Sequence, residues 1–192
     1  SQRLFVYQTM IETTRLTKKF GDFVAVHGLN LHVPKGVIFG FLGPNGAGKT
    51  TTMRLLTGTI LSDNDNVWLQ GKSLKKSIPA IFTGIGALIE TPSLYLHLTG
   101  RENLKVITTL RGISETGIDE ALKTVNLYEN RNRKVKEYSL GMKQRLGIAM
   151  ALLPEPSMLL LDEPAAGLND AESEVLLETL TRIRAEVGCG LL

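Results

Sequence analysis

Leu29, Leu31 and Val33 alternate with Asn30 and His32, the period of a strand with one buried face. They close a segment, 11–36, that reads as strands broken by turns at Gly21-Asp22 and at Pro34-Lys35-Gly36. The next run, VIFGFL (37–42), is continuously apolar, as expected of a strand covered on both faces. A glycine-rich turn follows, and then a helix is expected from about Lys49 to Gly58. DNVWLQGKSL (65–74) reads as a short strand and turn, and TGIGALIE (83–90) as another strand.

The pattern changes after Ser93. Thr99 with Glu102, and Thr116 with Asp119, have the spacing of capping boxes. Ile118, Ala121, Leu122 and Val125 recur at helical spacing, as do Leu146, Ala149, Met150 and Leu153 before Pro154. MLLLDEP (158–164) returns to a buried strand, and 169–188 predicts a helix with Leu176, Leu180, Ile183 and Val187 on one face. CGLL reads as the opening of one more strand. The expectation is an α/β domain with a mostly parallel sheet and an antiparallel N-terminal β part. A helical subdomain, at about 93–151, is inserted into it.

Composition narrows this only slightly. The 192 residues carry a net charge of +3 and a single cysteine, Cys189, so no internal disulfide can form. The densest basic run, RNRKVK (131–136), has no interleaved aromatics and reads as a solvated face; no nucleic-acid partner is expected. Residues 1–9 precede Met10 and are expected to be a tag or upstream remnant.

GPNGAGKT (43–50) has the form G-x-x-x-x-G-K-[ST] between an expected strand and an expected helix. Gly43, Gly46 and Gly48 let the loop, with Pro44, Asn45 and Ala47, turn its N–H groups toward the phosphates of a nucleoside triphosphate. Lys49 reaches the β- and γ-phosphates, the Thr50 hydroxyl suits Mg²⁺, and Thr51 belongs with the loop among the expected nucleotide-binding residues. Asp162, at the end of a buried strand, is the second metal ligand expected. Glu163 beside it is placed to take a proton from an attacking water.

A second anion-binding helix is also expected. In YSLGMKQRLGIAMALL (138–153), Ser139 is a good N-cap, and Gly141 opens the first turn at a cost of about 1 kcal/mol relative to alanine. That pattern leaves the positive helix end bare for an anion.

With these motifs the chain, from Met10 onward, resembles the nucleotide-binding domain of an ATP-binding cassette (ABC) transporter. Tyr138 to Met142 occupy the place of the family's Leu-Ser-Gly-Gly-Gln signature, keeping the serine and the second glycine. The resemblance implies a head-to-tail dimer, with Ser139 and Gly141 of one copy facing the γ-phosphate of ATP on the other. It also implies separate transmembrane permease subunits, a place on the cytoplasmic face of the membrane, and transport-coupled ATP hydrolysis. It puts Phe20, with Phe23 as rival, against adenine, and Gly167-Leu168-Asn169 where the family's loop usually ends in aspartate. Glu90 stands where the family normally offers glutamine, as a catalytic and metal-site residue. Glu90 and the SLGMKQR variant resemble the bacitracin-resistance and lantibiotic-immunity branch of exporters.

The family's further histidine would follow the strand that begins at the chain's last residues, so the 192-residue chain is expected to hydrolyse ATP slowly. A small P-loop kinase would not need the late acidic strand end or the second helix. A non-transport ABC ATPase acting on a cytoplasmic assembly, and an ATP-gated dimerisation module without turnover, remain the alternatives.

Overall fold

A computed structural model of the chain describes residues 9–40, 44, 46–64, 66–78, 84–89, 91–187 and 190–191. Strands β1 (Thr9–Phe20) and β2 (Phe23–Pro34) form a long antiparallel hairpin turning at Gly21 and Asp22. β3 (Val67–Leu69) pairs with β1, and β4 (Lys72–Ser73) with β3, in the order β2-β1-β3-β4. Leu31 and Val33 are buried while Asn30 and His32 are exposed, as the alternation requires. Helix α1 (Lys49–Leu56) buries Met53, Leu55 and Leu56 in the core shared with Ile11, Leu16 and Val33.

The second sheet is parallel, in the order β5 (Ile85–Leu88), β6 (Met158–Leu161), β7 (Gly190–Leu191). The short helix α2 (Leu74–Ser77) follows β4. Three helices, α3 (Gly100–Arg111), α4 (Ile118–Thr124) and α5 (Leu140–Leu152), make the crossover from β5 to β6. α6 (Asp170–Val187) makes the crossover to β7.

β6 is buried at all four positions, and its alternation divides the molecule into two cores. Met158 and Leu160 join the core of the antiparallel sheet and α1. Leu159 and Leu161 join that of the helical crossover, with Leu104, Leu122, Leu146 and Ile148. This strand is the hinge-pin of the fold, because both cores require it.

Local chemistry starts α3 as expected. The Thr99 hydroxyl accepts the Glu102 N–H at 3.2 Å, and the Glu102 carboxylate accepts the Thr99 N–H at 2.8 Å. The second expected box is not made. The Ser114 hydroxyl instead accepts the Thr116 N–H at 3.2 Å and caps a short 3₁₀ turn, Glu115–Gly117. Asp119 turns to the Arg101 guanidinium, and α4 begins behind Gly117 without a side-chain cap.

The expected strand at 37–42 also differs. Among its described residues, 37–40, only Ile38 makes a bridge, and Ile38 is 44% exposed. A cavity of about 240 Å³ lies between Ile38, Phe39 and Gly40 on one side and Leu161 and Leu180 on the other. Over 37–40 the run makes the single bridge at Ile38 rather than a continuous strand; residues 41 and 42 lie outside the described residues.

Candidate nucleotide-binding site

The turn into α1 is built on Gly48, at φ +87°, where an added Cβ would run into the Ala25 carbonyl of β2. The left-handed backbone and the close approach both require glycine. The Ala47 N–H donates to the Pro44 carbonyl at 3.2 Å, closing the loop. No side chain caps α1, and its first turn carries no acidic residue. Its positive end therefore opens into a cavity of about 390 Å³, lined by Phe23, Ala25, residues 46–51 and Glu163. Gly43 and Asn45 lie outside the described residues.

Lys49 and Glu163 meet at this cavity. The Lys49 Nζ is 3.5 Å from Glu163 Oε1 and donates to the Pro44 carbonyl at 3.4 Å. The Asp162 N–H continues the β5–β6 ladder by donating to the Leu88 carbonyl at 3.0 Å, which fixes Asp162 at the carboxyl end of the sheet. Glu163 then takes φ +45°. That conformation is sparsely populated for a residue with a side chain and is typical of positions held by their surroundings at functional sites.

Among the described residues, no cluster of three or more His, Cys, Asp or Glu could hold a metal. The Thr50 hydroxyl and Asp162 carboxylate are hard oxygen donors. That small set suits Mg²⁺, which keeps waters and takes its remaining ligands from substrate phosphates. Glu90, the other metal candidate, lies outside the described residues.

The two aromatics of the hairpin tip are paired in register, Phe20 opposite Phe23. Phe23 lines the nucleotide cavity and Phe20 is not among its lining residues. The Lys18 ammonium lies 5.4 Å from the centre of the Phe20 ring.

Ser139 caps α5, its hydroxyl accepting the Met142 N–H at 3.2 Å. Neither Ser139 nor Gly141 lines the nucleotide cavity of its own chain. The expected bare helix end is absent. Glu172 of α6 places Oε1 3.2 Å from the Gly141 N–H, which donates to it. The Ser139 and Gly141 hydrogen bonds hold the Glu172 carboxyl below the usual glutamate range. Sequence reading missed Glu172. A signal existed: Asn169 and Glu172 have capping-box spacing, with the Glu172 N–H donating to Asn169 Oδ1 at 2.9 Å.

A glycine-built phosphate loop at the head of a helix, beside an acidic strand end, defines a P-loop nucleotide-binding protein. The model of the ABC transporter family matches residues 26–166, and the chain belongs to that family.

The bacitracin transport ATP-binding protein BcrA of Enterococcus faecalis is 42% identical over 96% of this chain and 60% of its own length. The lantibiotic transport ATP-binding protein SrtF of Streptococcus pyogenes is 38% identical over 92% of this chain and 76% of its own. These relatives match the branch that the sequence resembles. The chain thus spans well under two thirds of the Enterococcus relative. Among solved structures, the ADP conformation of MJ1267, an ATP-binding cassette of an ABC transporter, superposes with a TM-score of 0.84. It is 26% identical, covering 96% of this chain and 80% of that one. CbiO1 of Clostridium perfringens shares the fold at a TM-score of 0.86, with 24% identity over 96% of this chain and 77% of its own.

Proposed function

We propose that this chain is the ATP-binding and ATP-hydrolysing subunit of an exporter, working as a head-to-tail dimer with separate membrane subunits. The observation that carries this reading is the meeting of Lys49 and Glu163, 3.5 Å apart, at the mouth of the cavity that α1 points into. Lys49 moves from Glu163 to the β- and γ-phosphates of ATP, where it gains charge-assisted hydrogen bonds. Glu163, relieved of its cation, is then free to accept a proton from water attacking the γ-phosphate. Thr50 and Asp162 hold Mg²⁺, which when bound neutralises charge on the phosphates. The adenine lies against the hairpin tip, on Phe20 or Phe23. Ser139 and Gly141 receive the γ-phosphate bound by the other copy, consistent with their absence from the cavity of their own chain.

The relatives' names support a peptide antibiotic, bacitracin-like or lantibiotic, as the exported substrate. No helix among the described residues is long and apolar enough to cross a membrane. The transport path belongs to the permease, with this chain on its cytoplasmic face. A groove lined by Pro92, Tyr95, Ile107 and Leu110, the last 74% exposed, offers a contact surface. Glu90 couples ATP turnover to the permease.

Glu163→Gln tests both halves. Sedimentation with Mg-ATP should show a trapped dimer, and Glu163→Gln combined with Lys49→Ala should not, having lost about ten- to a hundredfold in ATP affinity. In cells co-expressing the permease, Glu163→Gln should abolish antibiotic protection. A variant that stays monomeric and turns ATP over normally places the base elsewhere.

A further inference from the structure

The two carboxylate oxygens of Glu172 serve two helices. Oε2 accepts the Asn169 N–H at 3.5 Å, completing a reciprocal cap at the start of α6. Oε1 lies on the start of α5, accepting the Gly141 N–H. The fit is close, since a Cβ on Gly141 would lie 3.1 Å from the Cβ, Cγ and Cδ of Glu172. Arg145, one turn along α5, is half-buried, donates to the Val125 and Asn126 carbonyls at 3.0 Å, and adds a cation whose charge favours the ionised Glu172. A carboxylate and a terminal phosphoryl group make the same demand on a helix start, anionic oxygens accepting N–H and hydroxyl donors.

We propose that Glu172 is an internal surrogate for the γ-phosphate: it occupies the Gly141 N–H at the start of α5 in the isolated chain and is displaced when a second copy brings ATP to that helix end. This rests on the dimer reading above. The carboxylate cannot stay in place, because it would compete for the same donors and repel the incoming phosphate at short range. Dimer affinity is therefore set by the difference between phosphate and carboxylate at this helix end, rather than by the phosphate contact alone. Once displaced, Glu172 still holds Asn169, so occupation of α5 is felt in the turn 167–169.

The test compares Glu163→Gln with the double variant Glu163→Gln/Glu172→Gln, which removes the negative charge at nearly constant shape. Sedimentation across an ATP series should show the dimer forming roughly tenfold more tightly in the double variant, since each dimer contains two such sites. Calorimetry at low protein concentration should show ATP binding to the monomer unchanged. Dimerisation no tighter than in Glu163→Gln alone, with the fold retained in a thermal melt, overturns the proposal and leaves Glu172 as a helix cap. Glu172→Asp, which keeps a capping carboxylate one methylene short of Gly141, should shift dimerisation the same way if the glutamine variant is unstable. Exchange of the Gly141 amide in nucleotide-free protein reads the contact without any dimer: it should accelerate in Glu172→Gln, and unchanged protection overturns the proposal. If Glu163→Gln itself forms no ATP-dependent dimer, the shared-site reading fails, and the amide experiment still judges the Glu172 contact.

Discussion

Gly48 and Gly46 both stand at positive φ, +87° and +83°, yet only Gly48 faces a neighbour that a side chain would strike. The pair therefore separates two costs of the phosphate loop. Gly46→Ala should carry only the left-handed penalty, about 1–2 kcal/mol. Gly48→Ala should carry that and the collision with the Ala25 carbonyl, which forces α1 away from the hairpin. Thermal melting should rank Gly48→Ala well below Gly46→Ala; equal losses would mean that the Ala25 approach is relieved without cost. Although the contact between them, Lys49 to Glu163, joins distant parts of the chain, the phosphate loop and the acidic pair Asp162-Glu163 were each legible at this scale as local motifs. Glu172 was not, because the donor it meets, Gly141, lies 31 residues earlier on another helix.

Among the elements, α3 is the one whose start was wholly readable, since Thr99 and Glu102 satisfy each other's backbone. Their hydrogen bonds hold the Glu102 carboxyl below its ordinary range, the backbone bond from Thr99 being the largest cause. A depressed folded-state pKa contributes stability that is fully present above the ordinary glutamate range. That stability is lost as pH falls through the depressed value. Glu102→Gln should accordingly flatten the acid limb of stability against pH, read as urea midpoints from neutral to acid conditions. A slope should persist, because Asp63 and Glu172 are also shifted downward, each chiefly by a side-chain hydrogen bond, to Lys18 and Ser139 respectively. An unchanged acid limb would show that the box does not form in solution. The failed box at Thr116 has the same spacing, but Ser114 lies near enough to take the Thr116 N–H first.

For the whole molecule, the decisive element is β6, whose alternate residues belong to different cores. Leu159→Ala and Leu160→Ala delete fully buried side chains on opposite sides of one strand, each costing about 2–5 kcal/mol. Because the strand is common to both cores, either change should lower one cooperative transition. Fluorescence of Trp68, in β3 of the antiparallel sheet, and far-ultraviolet circular dichroism, dominated by the helices, should give coincident denaturation curves in both variants. Separate curves would mean that the cores melt independently and that β6 does not couple them.

The sequence by itself determined what depends on short-range chemistry: the hairpin, the phosphate loop, the start of α3 and the acidic end of β6. A glycine pattern, a cap or a period of two acts over a few residues and needs no distant partner. Tertiary structure decided the rest. The apolar run at 37–42 was read as a strand, but pairing needs a neighbour that the run itself does not name, and among its described residues Ile38 alone is bridged. Phe20 was expected against adenine with Phe23 as its rival, and the hairpin sets Phe23 on the cavity wall. The start of α5 looked bare because a helix end reveals only its own donors. What covers those donors depends on how α6 packs, and in this fold the covering group is the carboxylate of Glu172.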